Sequence, residues 1–331
     1  MATLLTGAAG FVGFHVAREL LKSGHEVVLI DNFNSYYSPT LKNLRAAILN
    51  EEFGQEVINL DIANYENLLI LFKKKSFTNI IHLAAQAGIR IPMSAASLYI
   101  DSNLVGFSNI ASFAAEMDVP HVLYASSSSV YGNNTPAPYK ENHYPLNPLS
   151  FYGATKLSNE ILAESIAYNS NSRFTGLRFF TAYGPYGRPD MAYFRIATAL
   201  IHNQEFELYG DGSVKRDFTN INDLLEALMR IAKFRLNGGG GSHEIYNIGG
   251  GSSHSIIELI DTFQSVSGKR LKLAFRHKIK SDVDMTIADG TKLLKDTSFR
   301  PMISLRQGIS EFLDWAQTPE IKTHLLDWVR A

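Results

Sequence analysis

Tyr152 and Lys156 lie four residues apart, and a run of four serines, Ser126 to Ser129, closes an aliphatic stretch upstream. These are residue types that can move a proton. On a helix, positions four apart share a face, which would bring the phenol and the ammonium together. A phenol titrates near 10 when unperturbed, so using it as a base at neutral pH requires a nearby cation, and Lys156 is one. A serine hydroxyl at the carboxyl end of a strand can hydrogen-bond the same reacting oxygen. A Tyr-xxx-Lys pair also arises by chance in a chain this rich in both residues. Taken alone, the segment reads equally as a surface helix beside a serine-rich loop.

Context comes from Thr6-Gly7-Ala8-Ala9-Gly10-Phe11-Val12-Gly13, which follows a short apolar run and opens a helix-length segment. Gly7, Gly10 and Gly13 allow the backbone to approach a pyrophosphate, and the N–H groups of the helix start, around Phe11 and Val12, face it with a partial positive charge. Eighteen residues after Gly13, at the end of the next aliphatic run, stands Asp31. An acid there accepts hydrogen bonds from the ribose hydroxyls of a dinucleotide and repels a 2′-phosphate, which favours NAD over NADP. The competing reading is a glycine turn without a ligand.

These residues need a scaffold, and the hydrophobic pattern supplies one. Thr3–Thr6, Val27–Ile30, Val57–Leu60, Ile80–Leu83, Val122–Ala125 and Phe174–Phe179 read as buried strands. Between them lie helix-length segments such as Phe14–Lys22, Asn64–Lys74, Val105–Met117 and Tyr152–Asn169. Such alternation predicts an α/β fold with a parallel sheet covered on both faces, and ligands of such sheets sit beyond the carboxyl ends of the strands. After about residue 184 the rhythm changes to aromatic and proline-rich loops with isolated helices at 192–202, 223–234 and 256–266. We expect a dinucleotide-binding domain over 1–184 and a smaller lobe over 185–331, with part of 214–250, including Tyr246-Asn247-Ile248, returning to the main sheet.

The 331 residues are 45% hydrophobic and 19% charged, the profile of a globular protein and not of a disordered one. With 31 basic and 32 acidic residues the formal net charge is −1, so there is no broad cationic surface for nucleic acid. Cysteine is absent, which excludes disulfides, thiolate metal sites and a thiol nucleophile. The histidines lack ligand spacing, so no catalytic metal is expected. No basic leader precedes the first apolar residues, and no run reaches the roughly 18 to 20 apolar residues of a membrane helix. The expectation is a cytoplasmic protein with no membrane partner.

TGAAGFVG, Asp31, HLAAQAG, the serine run ending in Val130-Tyr131-Gly132, Tyr152/Lys156 and Leu177-Arg178-Phe179-Phe180 together resemble the extended short-chain dehydrogenase/reductase superfamily of nucleotide-sugar epimerases and dehydratases. The resemblance covers almost the whole chain and implies a Rossmann doubly wound sheet with a C-terminal nucleotide-sugar lobe. It implies Tyr152 as the acid/base, Lys156 as its electrostatic partner and binder of the nicotinamide ribose, and Ser127 as the hydroxyl that orients the reacting oxygen. It places Asn32, Asp61 and Ile62 toward the adenosine, Ala84, Ala85 and Asn103 along the cofactor, and Tyr183 at the nicotinamide end. NAD is the implied cofactor and a homodimer the implied assembly, formed by the helices over 105–117 and 152–169.

Three segments narrow the resemblance: Asp31 to Tyr37, Ala85 to Arg90, and Thr181 to Met191. They are similar to the UDP-glucuronate 4-epimerases. The acids that dehydratases and decarboxylases carry at Ser128 and Ser129 are missing, and water elimination needs such an acid to release the hydroxyl. In the epimerases, residues matching Thr181 and Arg188 contact the substrate carboxylate, for which a guanidinium is the natural partner. Arg188 has a plainer reading, capping its loop or pairing with Asp190. Ser128 would also touch substrate, and Arg216 and Asp282 would hold the nucleotide. Around Asp282 the chain departs from the family pattern, reading Ile279-Lys280-Ser281-Asp282-Val283. The implied reaction is inversion at C4 of a UDP-sugar acid through a transient 4-keto sugar. The alternatives are epimerisation of another nucleotide hexose, reduction of a 4-keto sugar, or a non-catalytic NAD sensor.

Overall fold

The computed structural model describes residues 2–88, 92–277 and 283–330. Six parallel strands succeed one another: β1 (Ala2–Thr6), β2 (Val27–Asp31), β3 (Val57–Asn59), β4 (Phe77–His82), β5 (His121–Ser127) and β6 (Arg173–Phe179). Every residue of β1 and β2 is buried, as expected of strands sandwiched between two helical layers. After β7 (Thr181–Tyr183), β8 (Glu205–Tyr209) and β9 (Lys215–Asn220), the chain returns with β10 (His243–Ile248), which pairs in parallel with β6. The sheet order is β10-β6-β5-β4-β1-β2-β3. Strand order reverses between β1 and β4, so the connections leave to opposite sides and a crevice opens at their carboxyl ends.

On one face lie α1 (Phe11–Lys22) and α2 (Pro39–Phe53); α3 (Tyr65–Lys74) lies on the other. The sequence pattern did not single out α2. Proline at its first turn and Gly54 at φ +64 just past its end are its start and stop signals. A short turn, α4 (Ser97–Tyr99), runs into a π-helical turn at Ile100–Val105 and then α5 (Gly106–Glu116). Next comes α6 (Phe151–Tyr168), whose start is fixed by Ser150 accepting from the Gly153 N–H at 3.0 Å.

The remaining helices are α7 (Ala192–His202), α8 (Ile221–Leu236), α9 (Ile256–Ser267), α10 (Thr291–Thr297), α11 (Leu305–Ala316) and α12 (Pro319–Arg330). Helix α8 packs back on the main sheet with α1. Helices α7, α9, α11 and α12 enclose an aromatic core of Tyr193, Phe194, Phe263, Phe312 and Trp328. Beside them, β7 and β9 form a small sheet with β11 (Ser253–Ser255), and β8 pairs with β12 (Lys272–Arg276).

Helix α6 is docked on the sheet by polar contacts. Arg178 of β6 and Glu160 of α6 are buried, and the guanidinium donates through Nε at 2.9 Å and Nη2 at 2.7 Å to the carboxylate. Nη1 donates to the Tyr131 hydroxyl at 2.8 Å, and Ser126 donates to Glu160. Removing one partner of such a pair leaves a buried charge without compensation. Arg178→Met should therefore lower unfolding stability by about 3–5 kcal/mol, read by chemical denaturation.

Candidate active site

One cavity of about 650 Å³ lies over the switch point and extends from the main sheet toward α7, β8 and β9. That is within the usual range for a small-molecule site. Its inner end is the glycine-rich turn. Gly7 adopts φ +73, and a Cβ there would come within 2.6 Å of the Ala84 nitrogen. A Cβ on Gly13 would overlap the Gly7 carbonyl oxygen. No side chain caps α1 at Gly10, so the first N–H groups of the helix are left for the cavity. Asp31 ends β2 at the rim, its carboxylate accepting from the Ala9 N–H at 3.1 Å and the Phe33 N–H at 2.8 Å. Phe11, Val12, Asn32, Ile62, Ala84 and Ala85 line the same end.

At mid-cavity the register of β5 puts Ser127 beside Phe179, with Ser128 in the turn that follows. The Ser127 hydroxyl accepts the Ser129 N–H at 3.1 Å, which orients it. Tyr152, in the first turn of α6, faces the cavity with it. Burial holds the phenol above its usual value, and Arg188 and the Ser127 hydroxyl offset this only in part. One turn on, Lys156 is 1% exposed, with Nζ donating to the Ala125 carbonyl at 2.8 Å and lying 5.9 Å from the Tyr152 ring centre. Burial brings its ammonium down to about 8, and Glu160, one further turn along, works to raise it. The i, i+4 series Tyr152, Lys156, Glu160 was visible in the sequence, yet Glu160 was not singled out.

From β7 and the loop after it, Thr181 and Arg188 reach the cavity. Arg188 does pair with Asp190, Nε to Oδ1 at 3.1 Å and Nη2 to Oδ2 at 2.6 Å, and Tyr36 donates to Asp190 at 3.3 Å. Burial opposes ionisation of Asp190, but Arg188 outweighs it and holds the carboxyl below its usual value. Only the Nε edge of the guanidinium is used. Among the described residues Nη1 has no hydrogen-bond partner, so the end-on Nη1/Nη2 edge can take a second carboxylate. Arg216 lines the outer end, Nη1 donating to the Val283 carbonyl at 2.7 Å.

Three expected contact residues stand off the cavity wall. The π-helical turn carries Asn103 inward, and its amide is spent on the Gln86 backbone at 2.8 and 3.1 Å and on Thr155 at 3.0 Å, so it shapes the wall from behind. Asp61 accepts from Asn32 at 2.9 Å and the Ala63 N–H at 2.8 Å, bracing the rim. Tyr183, at the end of β7, is buried against Tyr193 and Phe218, because a large ring finds more apolar contact there. Asp282 lies outside the described residues.

The sequence matches the model of the NAD dependent epimerase/dehydratase family over residues 3–249. The chain belongs to this family. Protein CapI of Staphylococcus aureus is 38% identical over 329 residues, covering 95% of this chain and 98% of its own. UDP-glucuronate 4-epimerase 4 of Arabidopsis thaliana is 37% identical over 328 residues, 95% of this chain and 75% of its own. The crystal structure of UDP-glucuronic acid 4-epimerase from Bacillus cereus, in complex with UDP-glucuronic acid and NAD, superposes with a TM-score of 0.88. It is 32% identical, with 98% of this chain and 99% of that chain covered.

The cofactor of this epimerase/dehydratase family is NAD, and the inner end of the cavity fits it. A side-chain-free turn, an uncapped helix start and a rim carboxylate match a pyrophosphate and a ribose diol. Gly13→Ala should reduce the NAD bound to the purified protein at least tenfold, measured by ultraviolet absorbance of the acid extract, while the circular dichroism of the sheet and helices persists.

Proposed function

We propose that the chain interconverts UDP-glucuronate and UDP-galacturonate by inverting C4. One observation carries this reading: Arg188, with its end-on edge open, faces the same cavity as Tyr152, Lys156 and Ser127. A proton-moving centre and a carboxylate reader in one chamber suit a sugar acid better than a neutral hexose. The resemblance in sequence and shape to UDP-glucuronate 4-epimerases supports the same choice.

NAD held at the glycine-rich turn would supply the acceptor for the sugar's hydride and the donor that gives it back. Tyr152, as the phenolate, accepts the C4 hydroxyl proton at Oη, and the Ser127 hydroxyl holds the same oxygen in line. The charge on Lys156, pinned to the Ala125 carbonyl, favours that phenolate. Arg188 and Thr181 hold the substrate carboxylate, and Arg216 meets the diphosphate. The 4-keto sugar turns between the two half-reactions, after which Tyr152 returns the proton to the new C4 oxygen. A 4-keto uronate is a β-keto acid and loses CO₂ when its carboxylate stands perpendicular to the carbonyl plane. By restraining that torsion, Arg188 and Thr181 keep the carbon skeleton intact. Ser128 and Ser129, in place of acids, provide no carboxylic acid to release a hydroxyl in an elimination.

We read the functional unit as a homodimer in the cytoplasm. Support for the dimer comes from apolar side chains left exposed around α5 and α6: Leu98, Val105, Ile161 and Tyr168 are 48%, 41%, 61% and 86% exposed. No helix of the described residues is long and apolar enough to cross a membrane.

Purified protein given UDP-glucuronate without added cofactor should yield UDP-galacturonate, seen in the sugar proton resonances. No conversion even with NAD added would reject the reading. Arg188→Ala should lower kcat/KM for the sugar acid about 100-fold, in the range for truncating one partner of a buried charged contact, and leave the NAD content unchanged. Equal loss of both would make Arg188 structural. Because an amine loses its charge above its pKa, the rate should fall as pH rises through about 8, where Lys156 titrates; a profile flat to pH 9.5 would exclude Lys156 as the charge that matters.

A further inference from the structure

Lys42, Arg45 and Arg235 are buried cations that the proposed chemistry does not use, and of these Arg45 joins two parts of the cavity wall. Arg45, on α2, is fully buried, and among the described residues it has no acidic partner. A guanidinium taken from water costs several kcal/mol unless every donor is satisfied. Here each of its five N–H groups has an acceptor. Nη1 donates to the Ala9 carbonyl at 2.8 Å and the Tyr37 hydroxyl at 2.7 Å. Nε and Nη2 donate to the Tyr186 carbonyl at 3.1 and 2.7 Å, and Nη2 also to the Gly187 carbonyl at 3.0 Å. The planar fork thus spans two segments more than 170 residues apart in sequence, the glycine-rich turn and the loop that carries Arg188.

That loop is held one carbonyl after another. His15 of α1 donates from Nε2 to the Pro185 carbonyl at 2.9 Å, immediately before the two carbonyls taken by Arg45. Such a clamp has something to hold, because Tyr186 sits at φ +56, a conformation that costs a bulky residue energy and persists only where its surroundings impose it. The Tyr186 ring is wedged between Phe14 and Trp315, with centroids 5.0 Å from each. Ala9, at the other end of the fork, gives its N–H to Asp31. Arg188 is therefore tied to the cofactor-facing backbone through Arg45 and not through its own side chain.

We propose that Arg45 is the positioning residue that keeps the Arg188 loop in register with the glycine-rich turn, and thereby sets recognition of the sugar acid. This rests on the function proposed above for its kinetic part but not for its structural part. Lysine at this position keeps the charge but cannot fan five donors in one plane. In Arg45→Lys, KM for UDP-glucuronate should rise at least tenfold with kcat within threefold and NAD content unchanged. In an Arg188→Ala background the same change should alter kcat/KM less than twofold, because the residue it positions is gone. Amide hydrogen exchange over 184–190 should be at least tenfold faster in Arg45→Lys, while exchange over β4 and β5 stays as in the parent protein.

Full additivity of the two substitutions, or unchanged exchange over 184–190, would overturn the proposal. Should Arg45→Lys fail to fold, His15→Ala removes one anchor of the same loop and should give the same pattern at smaller amplitude; unchanged exchange there overturns it equally. If the parent protein does not turn over UDP-glucuronate, the function reading fails, and the exchange measurement still decides the clamp.

Discussion

A lysine ammonium buried below the sheet's carboxyl edge must find its compensation nearby, and Lys156 finds it in the Ala125 carbonyl. That bond ties α6 to β5 where the strand runs into the serine turn. Tyr152 and Ser127 face each other because those two elements meet there. Around it the Glu160–Arg178 pair and its bond to Tyr131 form a layer of buried charge that fixes α6 against β5 and β6. Isolated, each of these charges would be costly. Joined, they make the position of one helix insensitive to small shifts, which acid/base chemistry at a single oxygen requires.

The opposite wall is built differently. Arg188 carries its own counter-ion in Asp190, so its charge is screened and its orientation set, with one edge still open. A fully free guanidinium would reorient; one enclosed on all edges could bind nothing. The side-on pair resolves this: the pairing with Asp190 expected from the sequence is present, and it leaves the other edge open. Its partner Asp190 also receives the Tyr36 hydroxyl, which links the loop after β2 to the sugar end of the cavity.

Much of the main sheet was legible because buried parallel strands leave unbroken aliphatic runs, and the first six fall within a few residues of expectation. Helix α2 escaped because its apolar and polar positions are poorly segregated; it is held by Arg45 and the short apolar contacts of Leu41 and Leu49, not by a broad stripe. Asn103, Asp61 and Tyr183, expected along the cofactor, lie off the cavity lining and support the wall or fill the core. Their side chains find partners that distant segments supply: Thr155 for Asn103, Asn32 for Asp61, the aromatic cluster for Tyr183.

Local chemistry was settled by the sequence itself. A glycine-rich turn between strand and helix, an acid at the next strand end, and a phenol and an amine one helical turn apart depend on contacts within a few residues, so their spacing carries their meaning. What only the tertiary structure decided is how these pieces are registered on one another. The Arg45 fork reaches carbonyls 36 residues before it and 141 and 142 residues after it. Arg188 faces the same cavity as Tyr152 because its loop, held by that fork, by His15 and by the Tyr186 ring, is fixed against the sheet that also anchors α6. No periodicity records such distances, since a carbonyl is present at every residue and only folding selects which ones meet a buried charge.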